Sequence, residues 1–282
     1  MKIIAYYQTF TGLDSILNSN PLVTHIHLSS IHFGQDPETN EPYIHLNNKC
    51  PYDDSFSEVW EELTKAIRLG IEVKLMIGGA GGGYSSLFSN FDIYYAFLKE
   101  LLINKPQISG VDLDIEEGVS LNNVQILINK IKEDFADDLT ISMAPVQSSL
   151  EQDEPGLGGF IYKDLYKSPE GKFIDYFNVQ FYENYSCASL DQIVDNGYKP
   201  EMIVMGAMAG EFNKTEISKA VAKYGEKFGG VFVWEFCFAQ PSPKQWSETM
   251  YNLLHPKWGD QMNMNMGFFD WMNWIPEFIW KK

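Results

Sequence analysis

The chain has 282 residues, 45% of them hydrophobic and 21% charged, which is enough apolar material for a sizeable core and excludes disorder. A net charge of −17 argues against nucleic acid or an anionic membrane as partner and fits a neutral or cationic ligand such as a sugar polymer. The aromatic content of 15% points the same way, although aromatic rings also fill cores.

The first residues, Met1 to Tyr7, carry a lysine and a short apolar run that Gln8 and Thr9 interrupt far below signal-peptide length. They read as a strand, 2–7, and the expected location is cytoplasmic, or that of a mature or non-classically exported form. Further strands are expected at 23–30, 72–78, 109–116, 139–145, 175–182, 202–208 and 230–236. Amphipathic helical patterns lie at 55–69, 91–104, 121–135, 188–195, 214–227 and near 243–254. The gap between the fifth and sixth strands carries Pro155, Gly156, Gly158 and Gly159 and reads mainly as loop. Eight strands with crossovers in under 300 residues predict an α/β fold, a single (β/α)8 TIM barrel spanning 1–282; a doubly wound sheet rarely needs eight evenly spaced parallel strands. The last segment, 255–282, with Trp258, Trp271, Trp274 and Trp280, is expected to pack as a tail closing the barrel. No run approaches 18 apolar residues, so no membrane span is expected.

The fourth strand holds the most informative residues. In Gly110-Val111-Asp112-Leu113-Asp114-Ile115-Glu116, three carboxylates alternate with three aliphatic side chains. A strand turns the acids to one face and the aliphatics to the other. Like charges about 7 Å apart repel. In a barrel mouth that repulsion is useful, because it lets at least one member keep a proton near neutral pH. Glu116 comes last, at the carboxyl end, where barrels gather their active groups. On the sixth strand Asn178, Gln180 and Tyr182 share one face and Val179 and Phe181 the other, and the eighth strand delivers Trp234 to the same end. A flat apolar platform facing a carboxylate row suits a sugar ring.

Other motifs fail on inspection. The run Gly78-Gly79-Ala80-Gly81-Gly82-Gly83 lacks the GK[ST] of a phosphate loop, so close approach of the backbone to a ligand or neighbouring strand explains it better. His25-Ile26-His27 resembles the HxH of some metal-dependent barrel hydrolases, but His32, His45 and His255 are poorly placed to complete such a site, so no metal is expected. Cys50, Cys187 and Cys237 form no CxxC and no disulfide framework, and Cys187 lacks a nearby histidine for thiol chemistry.

Taken together, Asp112-Leu113-Asp114-Ile115-Glu116, Gln180-Phe181-Tyr182 and Trp234 resemble glycoside hydrolase family 18, which covers chitinases, endo-β-N-acetylglucosaminidases and chitinase-like lectins. The family motif DGxDxDxE appears here from Ser109 to Glu116 with every position but the first matched, and the Gln-Phe-Tyr trio looks most like the compact plant and fungal chitinases. The likeness runs over roughly residues 1–240. It implies retaining, substrate-assisted hydrolysis of β-1,4 linkages between N-acetylglucosamine units, without cofactor, by an enzyme expected to be a monomer. Glu116 would be the general acid and the substrate's N-acetyl oxygen the nucleophile. Asp114 would orient the acetamide and stabilise the oxazolinium ion, with Asp112 sharing its proton. Tyr182 would donate to the acetamide oxygen and Trp234 would floor the pocket. Gln180, together with one of Tyr6 or Tyr7 (preferably Tyr6), would bind hydroxyls, and the backbone at Gly79 would line the site.

There are departures: Ser109 stands for the motif's first aspartate, Met76-Ile77-Gly78-Gly79 for the usual SxGG, and Ser29-Ser30 for the usual Ala-Phe. Three alternatives follow. An endo-β-N-acetylglucosaminidase would cut N-glycans with the same chemistry, although Tyr182 favours chitin. A chitinase-like lectin usually lacks the acid that Glu116 supplies. A metal-dependent enzyme would use Asp112, Asp114 and Glu116 as ligands.

Overall fold

The computed structural model describes residues 1–17 and 21–256. Eight parallel strands close into a barrel: β1 (Lys2–Tyr7), β2 (His25–Gln35), β4 (Glu72–Gly78), β5 (Gly110–Asp114), β6 (Thr140–Met143), β7 (Tyr176–Gln180), β8 (Ile203–Met208) and β9 (Gly230–Trp234). The pairings β1–β2 and β1–β9 complete the ring, and β3 (Pro42–Leu46) adds an antiparallel arm to β2. The tail expected at 255–282 lies, beyond Pro256, outside the described residues.

The strands form because β-branched and aromatic residues sit where both faces are covered. Outward-facing Val111, Leu113, Val179, Phe181, Val231 and Val233 pack in one continuous core with the helices. A separate interior cluster of Ile4, Tyr6, Met76, Tyr176, Val204 and Phe232 plugs the barrel, with Tyr182 and Trp234 against it. The period of two read from the sequence therefore sorts these side chains correctly. The long helices α1 (Ser57–Arg68), α3 (Phe91–Asn104), α4 (Leu121–Phe135), α7 (Cys187–Asp195), α8 (Lys214–Tyr224) and α9 (Pro243–Leu254) fall on the predicted segments. Side chains start several of them: Ser120 accepts from the Asn123 N–H, Ser186 from Ser189 and Ser242 from Gln245.

Three features differ from the sequence reading. The second strand does not stop at 30 but runs to Gln35 and folds back as β3, through a turn in which Asp36 accepts from the N–H groups of Glu38 and Thr39 at 2.9 Å. The gaps after the third and fifth strands hold short helices, α2 (Tyr84–Ser89), α5 (Gln147–Glu151) and α6 (Tyr162–Lys167), each too brief to show amphipathic periodicity. Finally, the fourth, sixth and eighth barrel strands end at Asp114, Gln180 and Trp234, two residues before their expected ends. Glu116 and Tyr182 therefore stand just past the strands, where the chain is free to aim them into the mouth.

Candidate active site

The strand period turns every second side chain into the barrel, and which inward residues lie side by side on neighbouring strands can be read off the register. Met76, Asp112 and Ser142 are paired across β4, β5 and β6, and one layer up Gly78 is paired with Asp114. Asp112 is fully buried. It accepts from the Tyr6 hydroxyl at 2.6 Å, the Ser142 hydroxyl at 2.6 Å and the Asn178 amide at 3.0 Å. His27 Nδ1 lies 3.2 Å from its Oδ2, without the alignment of a hydrogen bond. Burial pushes the Asp112 carboxyl up, but His27, Ser142 and Tyr6 outweigh it and bring it to about 2. Asp112 is thus the anion of the row.

Asp114 is the opposite case. It is buried, and burial, Glu116 and Asp112 together hold its carboxyl well above the usual range, so it keeps a proton where an ordinary aspartate does not. The repulsion expected within the row thus falls on its middle member. Glu116 is half-buried and lines the cavity. Gln180 links the two: its Nε2 lies 3.3 Å from Asp114 Oδ1, 3.3 Å from Glu116 Oε1 and 3.0 Å from the Ala144 carbonyl. Burial, Asp114 and Glu116 raise the Tyr182 phenol, so it stays a donor across the working pH range.

These groups surround a cavity of about 110 Å³ whose lining includes Tyr6, Met76, Gly79, Asp114, Glu116, Gln180, Tyr182, Phe232 and Trp234. The structure brings together Glu116, Asp114, Tyr182, Trp234, Gln180, Tyr6 and Gly79 around one space, with Asp112 beneath them. Tyr6 rather than Tyr7 enters the barrel; the Tyr7 hydroxyl turns outward and donates to Glu62 at 2.8 Å. The glycine run serves close backbone approach, since the Gly79 N–H donates to the Asp114 carbonyl at 2.8 Å and a Cβ on Gly78, at φ +92, would strike that carbonyl. The hydroxyl of Ser109, the residue standing for the motif's first aspartate, donates to the Val73 carbonyl at 3.1 Å. Its strand parity is opposite to that of Asp112.

Sequence reasoning missed Ser142 and the role of His27. The inward parity of Ser142 could be read along the fifth strand, but its place level with Asp112 comes only from the register. His27 was read with a metal motif, whereas in the fold it sits between Tyr176 and Asp112. His25 pairs with Glu72 at 3.5 Å, and among the described residues no group of three or more His, Cys, Asp or Glu side chains could hold a metal ion.

No family model and no curated protein matches the chain. Solved structures do. A fungal endo-β-N-acetylglucosaminidase from glycosyl hydrolase family 18 superposes with a TM-score of 0.79 at 30% identity, covering 91% of this chain and 99% of that one. The chitinase ChiC from Aspergillus fumigatus gives 0.74 at 30% identity, covering 90% and 99%. A family 18 chitinase from Pseudoalteromonas aurantia gives 0.69 at 21% identity over 90% and 100%, a likeness of fold.

Proposed function

The chain belongs to glycoside hydrolase family 18, and on that premise we propose that it is a retaining enzyme that hydrolyses β-1,4 linkages between N-acetylglucosamine units in chitin or chito-oligosaccharides. The observation that carries this reading is the meeting of Asp114, Glu116, Gln180, Tyr182 and Trp234 around one cavity at the carboxyl end of the barrel.

Glu116 donates its proton to the glycosidic oxygen as the bond to the anomeric carbon breaks. The acetamido oxygen of the same sugar attacks that carbon, giving an oxazolinium ion, so no second carboxylate acts as nucleophile. Asp114 accepts from the acetamido N–H through its carbonyl oxygen, and the Asp112 anion beneath it sets a negative field against the developing positive charge. The Tyr182 phenol donates to the acetamide oxygen. Trp234 supplies an apolar floor, and Gln180, Tyr6 and the backbone at Gly79 border the sugar. Water then opens the oxazolinium ion with the Glu116 carboxylate as base, and the configuration is retained. The barrel acts as a single domain and a monomer.

A second reading is supported by one finding: the fungal neighbour with the 0.79 TM-score is an endo-β-N-acetylglucosaminidase. Cleavage in the core of an N-glycan uses the same catalytic row and differs only in the outer cleft. Product analysis by mass spectrometry on chito-oligosaccharides and on a high-mannose glycopeptide separates the two. Chito-oligosaccharide products support the proposal; release of the glycan alone overturns it in favour of the second reading.

A further inference from the structure

Below the acid row, β4 carries a lysine that the reaction scheme leaves without a role. Lys74 is 0% exposed, and its Nζ has no hydrogen-bond partner. In register it lies beside His27 on β2 and Gly110 on β5, two residues before Met76, whose partner is Asp112. It is therefore one inward layer beneath that carboxylate. A Cβ on Gly110 would strike the Thr140 hydroxyl and carbonyl first and would also stand 3.1 Å from Lys74 Cε. The ammonium lies 4.3 Å from the centre of the Tyr176 ring. The Tyr176 hydroxyl lies 3.2 Å from His27 Nε2, and His27 Nδ1 lies 3.2 Å from Asp112 Oδ2.

We propose that Lys74 is a positioning residue whose buried charge adds to the field that favours the ionised form of the Asp112 carboxyl one inward position above it. The argument is one of cost. An ammonium withdrawn from water without a hydrogen bond is expensive, and an apolar side chain of the same length would fill that space better. A charge survives there because an anion faces it, and in a low-dielectric interior the attraction reaches across a layer of side chains. Burial lowers the Lys74 ammonium to about 8, with Asp112 the strongest influence opposing that fall.

Other charges face this pair. Lys2 and Tyr6 come from β1, His25 and His27 from β2, and Glu72 from β4 itself. Asp114 follows on β5, and Asp175 and Tyr176 come from the β7 side. Burial drives both His25 and His27 down, and Asp112 opposes that fall at His27 as it does at Lys74.

The test rests on the proposed hydrolysis but is read in two ways. In Lys74→Met, and in Lys74→Gln as a second neutral variant, every carboxyl above the lost cation becomes easier to protonate. Both limbs of the kcat/KM profile on a chromogenic chito-oligosaccharide should therefore move to higher pH, by about one unit. Thermal stability should fall at neutral pH, because the Asp112 carboxylate is left buried without the cation beneath it. A residue that only fills space would change the height of the profile and leave its limbs in place, and that result overturns the proposal. Titration of the Asp112 carboxyl by 13C NMR decides the same point without turnover. An unchanged Asp112 midpoint in both variants sinks the role of Lys74, whereas a wild-type protein inert on every N-acetylglucosamine substrate sinks the functional reading alone.

Discussion

The Tyr6 hydroxyl donates to Oδ2 of Asp112 at 2.6 Å, joining the first barrel strand to the fourth across the floor of the cavity. That bond commits the phenol's proton to the carboxylate, so Tyr6 meets a sugar with its ring and its oxygen lone pairs. A hydrogen bond to a buried anion contributes about 1.5–3 kcal/mol. Tyr6→Phe should lose roughly that much unfolding free energy at neutral pH. Asp112 is depressed, so its stabilising contribution is present above the ordinary carboxyl value and is lost as pH falls through about 2. The deficit of Tyr6→Phe should therefore shrink toward pH 2. Denaturant titrations at several pH values check this, and a deficit that stays constant with pH would assign it to packing.

Glu116→Gln keeps the shape of the side chain and removes the transferable proton. Turnover should fall by about 10²–10⁴-fold, the usual range for a general acid, while ligand binding persists. Near-normal turnover in a folded variant would place the acid elsewhere.

Much of this site was legible because a strand has a rigid period of two. Asp112 and Asp114 face inward, and Val111 and Leu113 face the helices, as alternation alone requires. What alternation cannot give is the relation between strands, which depends on the register of residues far apart in the chain. Hence Ser142, His27 and Lys74 were invisible as partners of Asp112 until the barrel closed. The β2–β3 arm was missed for a local reason: the polar stretch Gly34-Gln35-Asp36 resembles a loop, yet it is the end of a strand and an Asp-stabilised turn. Ser109 illustrates the converse, since its departure from the motif looked chemical and in the fold concerns the Val73 backbone carbonyl near the start of β4.

Asp114 offers a stability test with a defined sign. Its folded carboxyl is raised by burial, then by Glu116 and Asp112, so its contribution is fully present below the unfolded value of about 4. That contribution is lost as pH rises through the folded value. Asp114→Asn removes the group that must ionise, so the melting temperature of the variant relative to wild type should climb from pH 4 upward. Calorimetry from pH 4 to 8 measures the trend, and a pH-independent difference would mean that Asp114 titrates normally.

Substrate assistance makes its own demand on the ligand. Fully deacetylated chitosan lacks the attacking oxygen and should not be cut, and a thiazoline analogue of the oxazolinium ion should inhibit competitively. Cleavage of chitosan at the rate of chitin would show that no acetamide takes part.

Tyr182→Phe tests whether the residue just past the sixth barrel strand acts on the group positioned by the fourth. The phenol lines the cavity with Asp114 and Glu116, and burial followed by those two carboxyls keeps it protonated. Its proposed bond to the acetamide oxygen strengthens as that oxygen attacks, so losing it should lower kcat more than it raises KM. The expected loss is on the order of 10–10³-fold, comparable with deleting a single oxyanion donor. Folding should be unaffected, because the ring still packs against Phe232, 6.5 Å away between centroids. Steady-state kinetics on a chito-oligosaccharide measures both constants. An unchanged kcat would mean that the hydroxyl makes no bond in the transition state, leaving Tyr182 as a wall of the cavity.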